Sequence, residues 1–437
     1  MNSLSLGKLK SAFRDAGAVR LVAKSLAEND NSKNQIYLAG SLEPLNVLPF
    51  ESPRVVRSAA GREVIHAAVK LSWLTDDGTP SPAPHTKLIL YPQYPEVRLS
   101  GFLKGAADAP NALMNEDARI AGRVLLLGIR ADRSIVARVF APGTAVVREL
   151  RATGVFEAAT KTLVDVPLET ESSRAVVLRR LREIATEGWI DSQRLDSTGA
   201  RRPCDAMNCG GLTLEARLGI IPNSRSEPDF HGWEVKQFAV RNFVRFAAKS
   251  PVTLFTPEPT SGVYSTEGVE AFVRRYGYAD TKGRHDRRNF GGRFVVGSRN
   301  EKTGLTLRLD GYDAASGKIS ELSGGLTLTD DDGVSTAGWP FAALIEHWNR
   351  KHAQAAYVPS LMQRRPRKYR YASTVFLGAG TDFARFVKAV AEGAVYYDPG
   401  IKLEDESSDE PRTHRRSQFR IAFKKLAMLY REFERDA

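Results

Sequence analysis

The sequence has few cysteines and no long hydrophobic run. Its two cysteines, Cys204 and Cys209, are too few for a disulfide framework, and a zinc site built on them would need further ligands from elsewhere in the chain. No run of about 18 apolar residues occurs. The opening segment, MNSLSLGKLKSAFRDAGAVRLVAKSLAEND, has the pattern of a charged amphipathic helix rather than of a secretory signal. We therefore expect a protein that lies in the cytoplasm and has no membrane partner.

The length and composition are those of a folded protein with more than one domain. The chain has 437 residues, and domains of about 100–200 residues predict two or three separately packed units. Hydrophobic residues make up 42% and charged residues 26%, a balance that excludes a disordered chain.

The charge is strongly basic and unevenly distributed. A formal net charge of +12 favours a polyanionic partner, because neutralising phosphates releases counterions. Nine Lys or Arg residues occur against three acids from Arg274 to Lys302, and seven against none from Arg350 to Arg370. Both stretches contain aromatic residues among the cations, a mixture typical of nucleic-acid-binding surfaces. A solvated basic face is the alternative interpretation.

The first part of the chain predicts a β-rich domain. Residues 35 to 165 contain short apolar runs separated by turn signals, as in VIHAAVKLSWLTDDGTPS, KLILYPQYPEVRLSGFL and GRVLLLGIRADRSIVARVF. The pattern becomes helical in LETESSRAVVLRRLREIATEGWI, where Ser172 or Ser173 is the candidate cap. We therefore predict a β-rich N-terminal domain over residues 1–170 and an α/β (α+β) domain over 171–437.

The second part mixes helix and strand signals. Thr213 is the predicted cap of a short helix that ends near Gly219. VKQFAVRNFVRF, SPVTLF and GRFVVGS have strand character, and EDESSDEPRTHRR predicts a charged loop. The spacing of apolar residues predicts helices in PFAALIEHWNRKH, TDFARFVKAVAEG and FRIAFKKLAMLYREFERD.

A cluster of ionisable residues surrounds one predicted strand. Alternate side chains of a strand share a face, so Glu234 and Lys236 point one way and Val235 the other. A bend at His231-Gly232 would bring the carboxylate of Asp229 beside that of Glu234. An ordinary amphipathic strand entered through a turn is the alternative interpretation.

Two converging carboxylates repel each other and require a cation, and Mg²⁺ suits oxygen ligands and phosphate oxygens. Lys236 would then orient a water molecule or stabilise charge on a phosphate, and it could itself act as the base if its pKa were depressed. Glu215, on the helix that precedes the strand, could orient Lys236 or hold a second ion.

These residues resemble a nuclease signature. Glu215, Pro228-Asp229 and Glu234-Val235-Lys236 match the PD-(D/E)xK pattern. The longer string GGLTLEARLGIIPNSRSEPDFHGWEVKQF resembles the catalytic region of the MvaI/BcnI family of restriction endonucleases, whose fold is similar to that of the mismatch-repair nicking enzyme MutH. The resemblance extends from about residue 175 to the C-terminus and includes HWNRKHAQAAYVPS and RSQFRIAFKKLAMLY.

The resemblance implies Mg²⁺-dependent hydrolysis of double-stranded DNA by a mixed central sheet flanked by helices. It identifies Asp229 and Glu234 as metal ligands, Val235 as a further metal-binding position, Lys236 as the catalytic lysine and Glu215 as the upstream helix acid. Members of the family act as monomers that cut one strand at a time at short CC-N-GG-type sites. A cognate DNA methyltransferase would act on the same site. The N-terminal domain is an addition to the family pattern.

Residues for reading DNA are expected in two basic segments. Arg recognises guanine and Asn recognises adenine in the major groove. The predicted DNA contacts are His231, His285, Arg287, Arg288, Asn289, Arg350, Lys351 and His352. Trp233 would share a face with Val235 and is predicted to be core. In the first domain, YPQYPEVRLSGF is the segment expected to contribute to DNA reading.

Two other functions agree with the same residues. A nuclease fold without activity could read a DNA sequence or modification, and a repair nickase could depend on a partner for activation. The first would bind DNA tightly without cleaving it, and the second would cleave only when its partner is added.

Overall fold

The computed structural model describes residues 4–28, 34–57, 61–91, 93–94, 96–115, 120–157, 163–168, 171–221 and 230–436. The chain divides into two compact units, an N-terminal unit, Met1–Ser172, and a C-terminal unit, Ser173–Ala437. Within the described ranges, no helix is long and apolar enough to cross a membrane.

The N-terminal unit consists mainly of strands. Its described helices are α1 (Leu6–Asp15), α2 (Asn111–Met114) and α3 (Ala145–Ala152). Its described strands are β1 (Ala18–Leu26), β2 (Gln35–Ala39), β3 (Glu51–Arg57), β4 (Glu63–Ala68), β5 (Leu71–Leu74), β6 (Pro80–Ala83), β7 (Lys87–Tyr91), β8 (Glu96–Ser100), β9 (Arg123–Arg130), β10 (Ile135–Phe140) and β11 (Val164–Asp165).

Two sheets form this unit. One has the strand order β11-β1-β9-β10-β5-β6, and the other has the order β2-β8-β7-β4-β3. Helix α1 buries Leu9 and Phe13 in a core that also contains Leu21 of β1 and Val147 of α3. The strands predicted in the three quoted segments are present, and β9 and β10 are joined by the predicted turn.

The predicted opening helix is correct only over its first part. Helix α1 ends at Asp15, and Gly17, with φ +85°, reverses the chain into β1. Gly adopts this left-handed conformation without a steric penalty. The residues that follow pair with β9 over the length of β1, so strand pairing replaces the helix that their spacing suggested.

The C-terminal unit mixes helices with many strands. Its described helices are α4 (Ser173–Thr186), α5 (Cys209–Leu218), α6 (Val263–Thr266), α7 (Gly268–Tyr276), α8 (Phe341–Lys351) and α9 (Phe383–Ala391). Its described strands are β12 (Ile190–Asp191), β13 (Gln193–Leu195), β14 (Arg201–Pro203), β15 (Glu234–Ala239), β16 (Val252–Phe255), β17 (Tyr278–Ala279), β18 (Arg287–Gly291), β19 (Arg299–Asn300), β20 (Leu305–Asp310), β21 (Tyr312–Asp313), β22 (Lys318–Ile319), β23 (Gly325–Thr329), β24 (Ser335–Pro340), β25 (Gln354–Arg364), β26 (Arg367–Tyr371), β27 (Val375–Ala379), β28 (Val395–Tyr397), β29 (Gly400–Glu404), β30 (Arg412–His414), β31 (Phe419–Ile421) and β32 (Glu432–Asp436).

Strand β25 is the centre of a mixed sheet. The order of this sheet is β12-β26-β25-β27-β32, and β15 also pairs with β25. The β15–β25 pairing is parallel, whereas β26 and β27 run antiparallel to β25. Helices α4 and α5 contribute to the core on one side of the sheet, with Leu181 and Leu214 beside Val235 and Val358. The predicted mixed sheet flanked by helices is therefore confirmed.

Three local predictions for this unit are wrong. The segment predicted as a closing helix forms β31, a 3-10 helix (Phe423–Leu429) and β32, because β32 adds to the edge of β27. GRFVVGS makes only isolated bridges, from Phe294 to Tyr397 and from Val296 to Leu307. Thr213 lies inside α5 rather than at its start, where Asn208 is the cap residue.

Other predictions for this unit are confirmed. Helices α8 and α9 occupy the two predicted segments, and Gly219 ends α5 in the left-handed conformation. Strand β16 forms within SPVTLF, and the charged EDESSDEPRTHRR segment is mostly loop around the short β30.

Candidate active site

The candidate site is at the start of β15. In the parallel register of β15 and β25, Glu234 is opposite Ala355 and Lys236 is opposite Tyr357. Side chains alternate along a strand, so Glu234 and Lys236 share one face with Tyr357, while Val235 points to the other face. Val235 is buried in the core with Trp233, which confirms that Trp233 is a core residue.

Glu234 and Lys236 form a buried ion pair. Nζ of Lys236 lies 2.7 Å from Oε1 of Glu234, and the side chains are 15% and 5% exposed, respectively. Oε2 of Glu234 is buried and has no hydrogen-bond partner among the described residues. Burying a carboxylate oxygen without a partner costs free energy, so this atom is suited to bind a cation.

A tight turn leads into this strand, as predicted. The backbone N–H groups of Phe230 and Trp233 donate to each other's carbonyl oxygens at 3.0 and 2.9 Å. His231 and Gly232 between them have φ values of +48° and +82°, the signs of a type I′ turn. His231 is exposed at the tip, where its ring lies edge-on to Phe230 with the centroids 4.6 Å apart.

Not every predicted ligand falls in the described part of the chain. Asp229, the other expected carboxylate, lies outside the described residues. Among the residues that the structure does describe, no cluster of three or more His, Cys, Asp or Glu side chains could hold a metal ion. Glu234 is thus the one predicted carboxylate ligand whose position the described ranges give.

Glu215 lies on helix α5, which packs against the Val235 face of the sheet. Tyr371 lies close enough to Glu215 for the two to interact electrostatically. Burial raises the pKa of Tyr371, and the negative charge of Glu215 adds to this effect. The hydroxyl of Tyr371 donates to the carbonyl oxygen of Gly210 at 2.7 Å, which ties the first turn of α5 to the sheet.

A disulfide fixes the start of the same helix. Cys204, just after β14, is bonded to Cys209, the first residue of α5, and both are buried. The two sulfur atoms are therefore not available as zinc ligands. Gly210 follows, and a Cβ at this position would lie 2.8 Å from Oε1 of Gln237, so the absence of a side chain permits the close approach of α5 to β15.

A tyrosine pair that the sequence prediction did not include adjoins the site. The hydroxyl oxygens of Tyr357 and Tyr430 lie 2.7 Å apart, and both side chains are buried. Burial raises the pKa of both phenols, and the negative charge of Glu234 raises them further. The only sequence signal was a tyrosine within the apolar run QAAYVPS, because pairing with Tyr430 depends on distant chain segments.

The predicted DNA contacts of the first basic segment are held by acids. On β18, Arg287 pairs with Glu404, Nε of Arg288 donates to Oε1 of Glu406 at 2.8 Å, and Asn289 donates to Asp280 at 2.9 Å. These interactions lower the pKa of Glu404 and of Asp280. Of the predicted contacts in this segment, only His285, in the turn before β18, is exposed.

The second predicted set includes one error. His352 is completely buried, with its ring stacked on Trp348 at a centroid distance of 4.3 Å, so it cannot reach a DNA groove. At the end of α8 its ring points inward and packs in an aromatic core that includes Phe255. Arg350 and Lys351 belong to α8, but their side chains lie outside the described parts of the structure.

Comparison with known proteins identifies the class. The profile of the MvaI/BcnI restriction endonuclease family matches residues 178–430, which include α5, the β15 site and the central sheet except β32. The chain therefore belongs to the MvaI/BcnI restriction endonuclease family, and it is a DNA endonuclease.

Individual similarities are weaker than this family match. No curated protein matches the chain. Among solved structures, restriction endonuclease MvaI in complex with its cognate DNA substrate is 19% identical to this chain, with a TM-score of 0.46. The match covers 61% of this chain and 99% of the MvaI chain. MvaI in the absence of DNA is 19% identical, with coverages of 62% and 99% and a TM-score of 0.35.

Proposed function

We propose that this endonuclease uses Mg²⁺ to hydrolyse phosphodiester bonds of double-stranded DNA at a specific sequence, one strand at a time. The observation that carries the proposal is the buried pair of Glu234 and Lys236, in which Oε2 of Glu234 has no partner among the described residues. A carboxylate oxygen and an ammonium group side by side are the elements that a metal-assisted hydrolysis requires.

The metal would be held by Glu234 and Asp229, with Val235 as a further binding position. Phe230 and Trp233 are paired across the turn, and the residues that flank this pair in sequence are Asp229 and Glu234. Asp229 is the second carboxylate that the PD-(D/E)xK resemblance implies. Both ligands offer hard oxygen atoms, which suit Mg²⁺.

The chain's own residues then have separate roles. Bound Mg²⁺ would lower the pKa of a coordinated water molecule and neutralise phosphate charge. Glu234 positions the ammonium of Lys236, which orients the attacking water and stabilises charge on the phosphate oxygens. The water gives up a proton to solvent as its oxygen bonds to phosphorus, the bond from phosphorus to the leaving sugar oxygen breaks, and that oxygen takes up a proton from solvent. Glu215, which the resemblance identifies as the upstream helix acid, would act from α5 to orient Lys236 or hold a second ion.

One such centre per chain predicts stepwise cleavage. A monomer with a single Glu234–Lys236 centre breaks one phosphodiester bond per encounter, so a double-strand break would need two successive nicks. Unmodified foreign DNA, such as that of a phage, would be the target. A cognate DNA methyltransferase acting on the same site would protect the cell's own DNA.

The N-terminal unit would extend DNA reading. Across its sheet, Tyr37, Arg98, Ile89, His66 and Arg54 lie opposite one another on adjacent strands. Strand neighbours in register share a face. This row therefore places Arg54 and Arg98, the latter paired with Glu96, beside the exposed Tyr37, a mixture of cations and aromatic rings typical of nucleic-acid-binding surfaces.

Cleavage of supercoiled plasmid tests the proposal. With Mg²⁺, the protein should first produce nicked circles and then linear DNA with discrete ends, and EDTA should stop the reaction. Lys236→Ala and Asp229→Ala should abolish cleavage and retain DNA binding. Intact cleavage in both variants would show that the site is wrongly assigned, and tight binding without cleavage of many DNA sequences would favour a silent reader.

A further inference from the structure

Two basic hairpins adjoin each other at one end of the central sheet. Strands β13 and β14 form the first, and β25 and β26 form the second. They are connected because β12 pairs with β26, with Asp191 opposite Lys368, and because the N–H of Ser192 donates to the carbonyl oxygen of Arg367 at 3.0 Å. We refer to residues 190–205 and 364–370 together as the twin-hairpin surface.

Most cations of this surface have no compensating acid. Asp191, Asp196 and Asp205 are its acids, and each already pairs with one cation, namely Lys368 at 3.0 Å, Arg202 at 2.9 Å and Arg367 at 3.7 Å, respectively. The remaining cations are exposed and form no ion pair with a described residue; they are Arg194, Arg201, Arg364, Arg365 and Arg370.

The hairpins also place like charges opposite each other. Arg194 is the cross-strand partner of Arg202, and Arg364 is the cross-strand partner of Arg367. Like charges directly opposite each other on paired strands are destabilising. Asp196 and Asp205 compensate only Arg202 and Arg367, so Arg194 and Arg364 remain cations that a polyanion bound across the hairpins would pair.

The surface is separate from the cleavage site but can be reached by the same DNA. Lys236 is opposite Tyr357, and β25 continues for seven residues from Tyr357 to Arg364. At about 3.3 Å per residue this distance is about 23 Å, which corresponds to about seven base pairs of duplex. Arg370, opposite Leu361, lies on the same face of the sheet as Tyr357 and Lys236, whereas Arg364 lies on the other face at the end of the hairpin, so the hairpin presents cations on both faces.

We propose that the twin-hairpin surface binds the phosphate backbone of duplex DNA about seven base pairs to one side of the cleaved bond. The inference rests on the proposed endonuclease function and adds a contact outside the reacting site. The contact is independent of base sequence because exposed arginines on phosphates fix position rather than identity. It predicts tighter binding of DNA that extends past the cleavage site on that side.

Salt-dependent binding of a fluorescent 30-base-pair mixed-sequence duplex tests the inference in the full-length protein. The triple variant R201Q/R364Q/R370Q should lower the steepness of log Kd against log salt by about 2–3, since each phosphate contact contributes about 0.9. Binding of a 10-base-pair duplex should change much less. The control is R174Q/R182Q/K388Q, which removes the same charge from cations that are paired with Glu434, Asp436 and Glu392.

The outcomes separate this inference from the proposed function. An unchanged salt dependence in the triple variant, or an equal change in the control, would overturn the surface assignment. Circular dichroism shows whether the triple variant is folded. If it is not, the single substitution R370Q, with an expected decrease in slope of about 1, tests the surface instead. Plasmid cleavage by the wild-type protein is measured separately, so a protein that cleaves nothing refutes the function without changing the result of the binding experiment.

Discussion

Nζ of Lys236 lies 2.7 Å from Oε1 of Glu234, at the start of a strand that is paired with the centre of a mixed sheet. The two groups are nearly buried, so each charge depends on the other for solvation. Their removal should therefore affect both stability and catalysis, and the two effects can be separated.

Lys236→Met should reduce cleavage at least about 100-fold and also lower the free energy of unfolding by about 3 kcal/mol, because it leaves a buried carboxylate without its partner. The double variant E234Q/K236M should recover most of the stability and none of the cleavage. Plasmid cleavage and urea denaturation measure the two effects. Recovery of cleavage in the double variant would show that the pair has only a structural role.

Divalent metal should stabilise the folded protein through Glu234. With Mg²⁺ or Mn²⁺ at about 100 times its Kd, the free energy of unfolding should rise by about 2.7 kcal/mol, and the melting temperature should rise accordingly. Glu234→Gln removes one ligand charge and should abolish most of this increase. The matched control is E392Q, at an exposed acid paired with Lys388. An equal metal response in E234Q would place the ion elsewhere.

The Tyr357–Tyr430 pair should make stability sensitive to alkaline pH. The pKa of both phenols is raised by burial, whereas in the unfolded chain a tyrosine ionises near pH 10. Above pH 10 the unfolded state therefore binds fewer protons than the folded state, and stability falls by up to about 1.4 kcal/mol per pH unit for each tyrosine. Below pH 9 these groups cause no change.

The double variant Y357F/Y430F should lack the loss of stability that these two phenols cause above pH 10. Its free energy of unfolding, measured from pH 8 to 11 in guanidinium chloride, should fall less steeply than that of the wild type above pH 10. Parallel curves for the two proteins would contradict the assignment of this pair as buried and protonated.

The sequence predicted the elements that depend on local patterns. The apolar residues of helices α8 and α9 recur at helical spacing, so each helix has one apolar face. The turn at His231-Gly232 contains a Gly where a positive φ is required. The alternation of Glu234 and Lys236 on one face follows from strand geometry alone. These parts of the site could be read without a structure.

Elements that depend on distant partners were predicted poorly. Residues 419–436 have apolar residues at helical spacing, but β32 pairs with the edge of β27 instead, from Val375 opposite Asp436 to Ala379 opposite Glu432. His352 directly follows α8 and points into the core, where it is fully buried. Arg287 was expected to contact DNA, yet Glu404 lies opposite it on β29, more than 100 residues later in the chain.

The contrast between Arg287 and His285 gives a fourth prediction. Arg287→Gln should lower the free energy of unfolding by about 1–3 kcal/mol, because it removes the cation closest to both Glu404 and Asp280. His285→Ala should leave stability unchanged and weaken DNA binding. Thermal denaturation and fluorescence anisotropy with a mixed-sequence duplex distinguish them. A loss of DNA affinity without loss of stability in R287Q would restore Arg287 as a direct DNA contact.

The position of the metal ion tests the central claim most directly. Crystals of the protein soaked with Mn²⁺ and measured at the manganese absorption edge should show an anomalous peak within about 2.0–2.6 Å of Oε2 of Glu234, with the ammonium of Lys236 on the other carboxylate oxygen. The same crystals of E234Q should lack the peak. A peak at another place in the chain, or an undiminished peak in E234Q, would contradict the assignment of this strand as the cleavage centre.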